Sequence, residues 1–338
     1  MKTLRSKRMV VAGVLTSLVL GVSACGSTES TSNSVASQSS AASTADSTGT
    51  TTTTTTSTEE SPTLEALVAE VQGDFQQLTW TDPETGTSMS YNLYLPEDYD
   101  ESQTYPLVTY IADSSQVGAD TTTPLSQYGA LIWASGTEQA EQQSIVLVPA
   151  YPEVILDDHS GYTTTEYVDM TARLIESVTS EYSVDPDRVY GTGQSLGCMT
   201  IMILAAQYPD LFAAELFVSG QWDVSTLGNL AAENFFYIAA GGDDSASGGQ
   251  TDVQAMLDEA GVSYGAATWD ATWTAEQSAQ AAAELFAAGE SINFATFETG
   301  TVLEANSSSG GMNSEHMASF QPAYQIEALR DWLFAQTA

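Results

Sequence analysis

The chain has 338 residues and is strongly acidic, with 44 aspartates and glutamates, seven lysines and arginines, and a formal net charge of −37 at pH 7. A surface of this charge repels nucleic acid and anionic membranes, so the composition argues against both as partners. The sequence contains no D-x-[DN]-x-[DN]-G loop, so the acidity does not indicate a calcium site of that type. We interpret it as an adaptation for solubility in a salty or acidic exterior.

The N-terminus predicts export and anchoring. Four basic residues within the first eight positions precede an apolar run, Met9–Leu20, which is shorter than the roughly 20 residues that span a bilayer. Residues 1–24 are therefore expected to be a signal peptide. The following Val22–Gly26 resembles a bacterial lipobox, in which Cys25 would carry lipid and hold the protein outside the cell on its membrane. The alternative is an ordinary secretory signal in which this cysteine is incidental.

A low-complexity segment separates this start from the rest of the chain. Residues 25–61 are mostly Ser, Thr, Ala and Gly, with seven consecutive threonines at Thr50–Thr56. Such a segment buries too little apolar surface to order itself, which predicts a tether. Residues 62–338 are long enough for one large domain. If Cys25 carries lipid, Cys198 has no disulfide partner and is expected to be buried.

The pattern of the domain changes after its first strands. Phe75–Thr81 and Ser88–Leu95 alternate apolar and polar residues around a turn at Asp82–Gly86, which predicts an antiparallel hairpin. Later apolar runs suit strands buried on both faces of a parallel sheet. These runs are Tyr105–Ala112, Ser144–Ala150, Arg188–Gly191, Glu215–Ser219, Phe235–Ala240 and Ile292–Phe297.

Helical patterns fall between or after these runs, at Thr165–Tyr182, Ser195–Gln207, Val253–Ala260, Ala275–Ala288 and Ala323–Ala335. Alternation of strands and helices predicts an α/β protein with helices on both faces of the sheet. An antiparallel hairpin leading into a mostly parallel sheet is what an α/β-hydrolase fold requires.

The motif G-x-S-x-G occurs at Gly193–Gly197, between a predicted strand and a predicted helix. In that context it predicts a nucleophile elbow, with Ser195 at the corner and the Leu196 N–H available to an oxyanion. A structural turn that happens to hold a serine is the alternative. That alternative predicts no acid and base downstream.

A serine nucleophile requires a base, and the chain has two histidines. In this fold the order is serine, acid, histidine, so His316 is the candidate base, whereas His159 precedes the serine and is interpreted as a surface-loop residue. Asp243 and Asp244 follow the Phe235–Ala240 run, and either could orient the histidine. Spacing from the strand favours Asp243.

The second oxyanion donor should follow the Tyr105–Ala112 run. Many esterases have H-G-G-G at this point, whereas this chain has Asp113-Ser114-Ser115. The backbone N–H of Ser114 or of Ser115 is the candidate, and Ser114 is preferred. An aspartate this close would disfavour an oxyanion unless its side chain points away.

At these residues the chain resembles α/β-hydrolase serine esterases. The branch is that of secreted bacterial enzymes related to polyhydroxybutyrate depolymerases, feruloyl and acetyl esterases, and prolyl-oligopeptidase-like peptidases. The matching stretches include DPDRVYGTGQSLGCM, YPDLFAAELFVSGQWD and GGDDSASGG. The resemblance implies Ser195 as nucleophile, Asp243 as acid and His316 as base. Pocket residues are expected at Gln194, Gln221 and Trp222, with core packing an equal alternative for Trp222.

The sequence therefore predicts a membrane-tethered extracellular serine hydrolase that cleaves small-molecule or polymer-derived carboxylic esters. No H-E-x-x-H or Walker motif is present, so no metal or other cofactor is expected. A peptidase is the alternative within the enzymes, and a non-catalytic binding lipoprotein on a hydrolase scaffold is the alternative outside them. The oligomeric state has no sequence signal.

Overall fold

A mixed β-sheet organises the domain in the computed structural model, which describes residues 61–307 and 314–338. The predicted signal peptide, Cys25 and the tether up to residue 60 lie outside these residues. The strands of the described part are β1 Gln76–Thr81, β2 Ser88–Tyr94, β3 Tyr105–Ile111, β4 Ile145–Ala150, β5 Leu156–Asp157, β6 Thr163–Thr164, β7 Val184–Gln194, β8 Ala214–Val218, β9 Phe235–Ala240, β10 Gly265–Trp269 and β11 Ile292–Phe297.

Nine of these strands form one sheet in the order β1-β2-β4-β3-β7-β8-β9-β11-β10, and β5 and β6 form a separate small hairpin. Strand β2 is antiparallel to both of its neighbours, β1 and β4. All other neighbouring pairs in the large sheet are parallel. The predicted fold class is confirmed: an antiparallel start leads into a parallel sheet.

Helices cover both faces of this sheet. A buried apolar cluster lies on each face, and alternate residues of β3 point into one or the other. Leu107 and Ile111 belong to the first cluster, and Val108 and Tyr110 belong to the second. The helices of the described part are α1 Leu64–Val71, α2 Tyr128–Leu131, α3 Gly136–Glu141, α4 Glu166–Glu181, α5 Leu196–Gln207, α6 Asp244–Ala260, α7 Ala275–Phe286, α8 Thr301–Ala305, α9 Glu315–Ala318, α10 Phe320–Gln325 and α11 Glu327–Phe334.

Helix α5 begins directly after Ser195. Eleven of its twelve residues, Leu196 to Ala206, are buried, as its uniformly apolar sequence predicted. The predicted final helix, in contrast, is divided into α10 and α11 by Ile326, which has an extended backbone conformation. None of the helices in the described ranges is both long and apolar enough to cross a membrane.

Two buried glutamates, Glu215 on β8 and Glu233 just before β9, lie near one another. Glu215 is fully buried, and neither of its carboxyl oxygens has a hydrogen-bond partner among the described residues. Burial, and then the charge of Glu233, raise the pKa of Glu215 well above its ordinary value. Burial, and then the charge of Asp210, raise the pKa of Glu233 to about 7. Both carboxyls therefore stay protonated to a higher pH in the folded protein than in the unfolded chain.

This pair predicts that Glu233→Gln stabilises the domain at pH 8 but not at pH 4.5. Folding raises the pKa of the Glu233 carboxyl. Its contribution to the stability of the domain is therefore complete below the unfolded pKa, and it is lost as the pH rises through the folded pKa, here about 7. Each pKa unit is about 1.4 kcal/mol and the shift is from 4.5 to about 7, so the variant should gain about 3 kcal/mol at pH 8. Thermal unfolding at both pH values measures this, with exposed Glu259→Gln as control. An equal effect of the two substitutions would contradict the assignment.

Candidate active site

Ser195 lies at the sharp corner between β7 and α5. Its φ of 53° and ψ of −117° are unusual for a residue other than glycine. The corner also brings backbones together: a Cβ at Gly197 would overlap the carbonyl oxygen of Ile111, and one at Gly193 would lie 2.5 Å from the carbonyl carbon of Gly197. Glycine at both positions is therefore a steric requirement of the turn, which places the serine at the end of the central strand.

His316 makes a hydrogen bond through each ring nitrogen. Its Nε2 is 2.8 Å from Ser195 Oγ, and its Nδ1 is 2.6 Å from Asp243 Oδ2. Because a carboxylate only accepts, Nδ1 carries the proton toward Asp243, which leaves Nε2 to accept from the serine hydroxyl. The edge-on ring of Phe320, with ring centroids 5.0 Å apart, supports the imidazole from the side. Ser195, His316 and Asp243, the predicted nucleophile, base and acid, thus form one hydrogen-bonded row.

The structure distinguishes the two candidate aspartates. Asp243 is buried and precedes α6, where its Oδ1 accepts a hydrogen bond from the Ala246 N–H at 3.3 Å while Oδ2 faces His316. Asp244 is the first residue of α6 and is exposed. Only Asp243 contacts the histidine.

The loop after β3 holds the aspartate that replaces the glycines of many esterases. The Asp113 carboxylate accepts hydrogen bonds from the Ser115 N–H at 2.8 Å, from Gln194 Nε2 at 2.9 Å, and from Gln127 Nε2. These three neutral donors hold the carboxylate in a buried position, pointing toward Gln127 and Gln194. Because the Ser115 N–H is engaged, Ser114 is the better of the two oxyanion candidates in this loop.

A cleft of about 530 Å³ opens at this row of residues. Ser114 and Leu196, the two predicted oxyanion donors, both line it, as does Gln221. The other two predicted pocket residues do not. Gln194 is buried with its amide on Asp113, and Trp222 is buried in the apolar core. The remaining residues that line the cleft are Val154, Leu156, Asp157, Asp158, His159, Ser195, Met199, Asp243, Ser245 and His316.

The short hairpin β5–β6 forms a wall of the cleft that sequence analysis missed. His159 was interpreted as a surface-loop residue, and its side chain is indeed 89% exposed, but it lines this cleft. Asp158 Oδ2 accepts a hydrogen bond from Gln221 Nε2 at 2.7 Å, and Tyr162 packs edge-on against Trp222 with ring centroids 5.2 Å apart. Two-residue strands give no periodic signal, so the sequence did not reveal this element.

A larger cleft, of about 760 Å³, lies between α7 and the region of α10 and α11. Its lining includes Trp269, Trp273 and Asp331 but neither histidine. It therefore lacks a base of the kind that activates a serine, and the smaller cleft is the candidate active site. The described residues contain no group of three or more His, Cys, Asp or Glu that could hold a metal ion.

The fold and the elbow are those of an α/β hydrolase, and comparison with known proteins defines the family. Residues 83–295 match the family described as "Putative esterase". The match covers more than half of the chain, so the protein belongs to this esterase family.

Individual relatives are similar over shorter stretches. Acetylxylan esterase A of Aspergillus ficuum is 26% identical over 46% of this chain and 50% of its own length. Feruloyl esterase B of Talaromyces funiculosus is 35% identical over 29% of this chain and 25% of its own length. The chain thus spans half or less of the length of these curated relatives. The crystal structure of a thermostable esterase aligns with a TM-score of 0.63 at 22% identity, covering 79% of this chain and 64% of that one, which supports the fold.

Proposed function

We propose that the protein hydrolyses carboxylic esters through an acyl-enzyme formed on Ser195. The observation that carries this proposal is the hydrogen-bonded row Ser195–His316–Asp243, with distances of 2.8 and 2.6 Å, at an open cleft in a member of an esterase family. A strained serine beside an oriented imidazole is difficult to explain as a structural turn alone.

The reaction proceeds in two steps, acylation of Ser195 and hydrolysis of the acyl-enzyme. Ser195 Oγ attacks the ester carbonyl carbon and transfers its proton to His316 Nε2 while Asp243 holds Nδ1–H. The carbonyl oxygen becomes an oxyanion that accepts from the Leu196 N–H, at the start of α5, and from the Ser114 N–H. Collapse breaks the ester C–O bond, and the alcohol leaves with the proton from Nε2. Water then attacks the acyl-enzyme by the same route and releases the acid.

The substrate class follows from the charges around the cleft. Asp157, Asp158 and Asp243 line it. The three arginines of the domain bond elsewhere: Arg173 to Asp82, Arg188 to Gln142 and Arg330 to Glu138. We therefore propose esters without a carboxylate near the scissile bond, either small molecules or fragments of polymers. The named relatives, an acetylxylan esterase and a feruloyl esterase, agree with an ester substrate.

We also propose an extracellular enzyme anchored through lipid on Cys25. The signal-like start of the sequence and the lipobox-like Val22–Gly26 support this location. The 36 residues between Cys25 and Pro62 would then separate the lipid from the domain.

The test of the chemistry is covalent labelling of the full chain with a fluorophosphonate, with the adduct mapped by mass spectrometry. We expect a single adduct on Ser195, because the reagent requires an activated serine and an oxyanion site but no particular ester group. His316→Ala, which keeps the serine but removes its base, should label far more slowly. A folded chain that does not react would contradict the proposal and favour a non-catalytic binding protein.

A further inference from the structure

Glu315, the residue immediately before the proposed base, makes contacts that the mechanism above does not use. Its Oε2 accepts a hydrogen bond from the Gly242 N–H at 2.9 Å. Gly242 in turn immediately precedes Asp243. Two adjacent residues of one loop therefore bond to two adjacent residues of the other: Asp243 to His316 and Gly242 to Glu315. Two parallel contacts fix the relative orientation of the loops, whereas one contact leaves a pivot.

The second oxygen of the same carboxylate extends this contact to a third loop. Glu315 Oε1 accepts a hydrogen bond from the Gly300 N–H at 2.9 Å, in the turn between β11 and α8. The end of β11 and the acid loop are also joined directly, because the Gly241 N–H donates to the carbonyl of Phe297, the last residue of β11, at 2.8 Å. One side chain thus connects the loops after β9 and β11 to the segment that carries His316.

The opposite side of His316 has its own support. Ser319 Oγ donates to the His316 carbonyl at 2.7 Å and is 2.6 Å from Ser219 Oγ at the end of β8. These contacts follow His316 in the chain, whereas those of Glu315 precede it. Loss of the Glu315 side chain would remove both bonds that tie the segment before His316 to the loops after β9 and β11.

We infer that Glu315 is a positioning residue, which holds the His316 ring at the correct distance from Asp243 and Ser195 by binding the backbones of Gly242 and Gly300. The inference rests on the proposed function for its catalytic consequence. Its geometric part, the joining of the acid and histidine loops, stands independently of that function. Misplacement of a reacting group by about 1 Å can cost about 100-fold in rate, which sets the scale of the expected effect.

The first experiment compares the full chain with Glu315→Ala and Glu315→Gln. We expect the alanine variant to lose about 100-fold in kcat with KM changed less than about twofold, because no contact with substrate is removed. Glutamine keeps one acceptor oxygen but turns an amide N–H₂ toward a backbone N–H, so it should restore activity only partly. Glu304→Gln, which removes an exposed acid from the neighbouring helix α8, is the matched control and should leave kcat unchanged.

A second variant tests the contact itself. A Cβ at Gly242 would overlap the Glu315 carboxylate, so Gly242→Ala should lower kcat in the wild-type background. In the Glu315→Ala background that overlap is absent, and Gly242→Ala should cost nothing further. Independent, multiplicative losses in the double variant would overturn the inference. So would a Glu315→Ala protein that unfolds at a lower temperature but keeps its kcat, because that pattern indicates stability alone.

Proton NMR separates this inference from the proposed function. A proton in a 2.6 Å Nδ1–H to carboxylate hydrogen bond is expected far downfield, and its observation needs no turnover. We expect this resonance in the wild type and in Glu304→Gln, and its loss or broadening in folded Glu315→Ala. Persistence of an unchanged resonance would overturn the inference even in an active enzyme. A wild type with the resonance but no esterase activity would contradict the function and leave the positioning role supported.

Discussion

Ser195→Ala is expected to lower kcat for ester hydrolysis by about 10⁴- to 10⁶-fold while the fold is retained. Removal of a nucleophile disables the whole row, because His316 then has no proton to accept and no covalent intermediate forms. The backbone donors and the cleft remain, so a small residual rate over the uncatalysed reaction should persist. Steady-state kinetics with a chromogenic acetyl ester measures the loss.

Structural damage must be distinguished from the loss of chemistry in this variant. The positive φ of Ser195 is strained for alanine as well as for serine, so the elbow should keep its conformation and the unfolding temperature should change little. Ser245→Ala, which alters another serine that lines the same cleft, is the matched control and should keep most of the activity. An active Ser195→Ala enzyme would show that another group attacks the ester.

The fold could be predicted largely because its strongest signals are local. The continuous apolar runs of β3, β4, β9 and β11 and the apolar helix α5 correspond to elements that are buried in the structure. The edge strand β10 was missed because its sequence, GAATW, is mostly small residues with little apolar contrast. A strand at the edge of a sheet has a neighbour on one side only and buries less apolar surface. Its sequence therefore shows a weaker apolar pattern.

Some residues of the candidate site could likewise be predicted from the sequence, and others could not. The order of serine, acid and histidine, together with the presence of only two histidines, was sufficient to select His316, which the structure places against Ser195. Whether a residue lines the pocket depends on the direction of its side chain, which its position in the sequence does not specify. Gln194 precedes Ser195 in sequence, yet its amide bonds to Asp113, which does not line the cleft. His159 is brought to the site only by long-range folding, as are Gly242 and Gly300, the partners of Glu315.

Asp243→Asn is expected to lower kcat by about 10⁴-fold, whereas Asp244→Asn should leave it nearly unchanged. The neighbouring pair is a matched comparison, since each substitution removes one carboxylate from the same turn. Asp243 Oδ2 accepts from His316 Nδ1 at 2.6 Å, whereas Asp244 is exposed. An amide at position 243 can donate to Nδ1, which favours the tautomer with its proton on Nε2 and leaves Ser195 without an acceptor.

The same pair of variants separates an effect of Asp243 on rate from an effect on stability. Asp243 caps α6 through the Ala246 N–H, a contact that asparagine retains, so both variants should unfold at similar temperatures and differ only in rate. Fluorophosphonate labelling of each variant, followed over time, gives the rate of serine attack without product release. Equal labelling rates would mean that the Asp243 carboxylate is not required for serine attack. A loss confined to Asp244→Asn would reassign the acid to the exposed residue and require the loop to move on binding substrate.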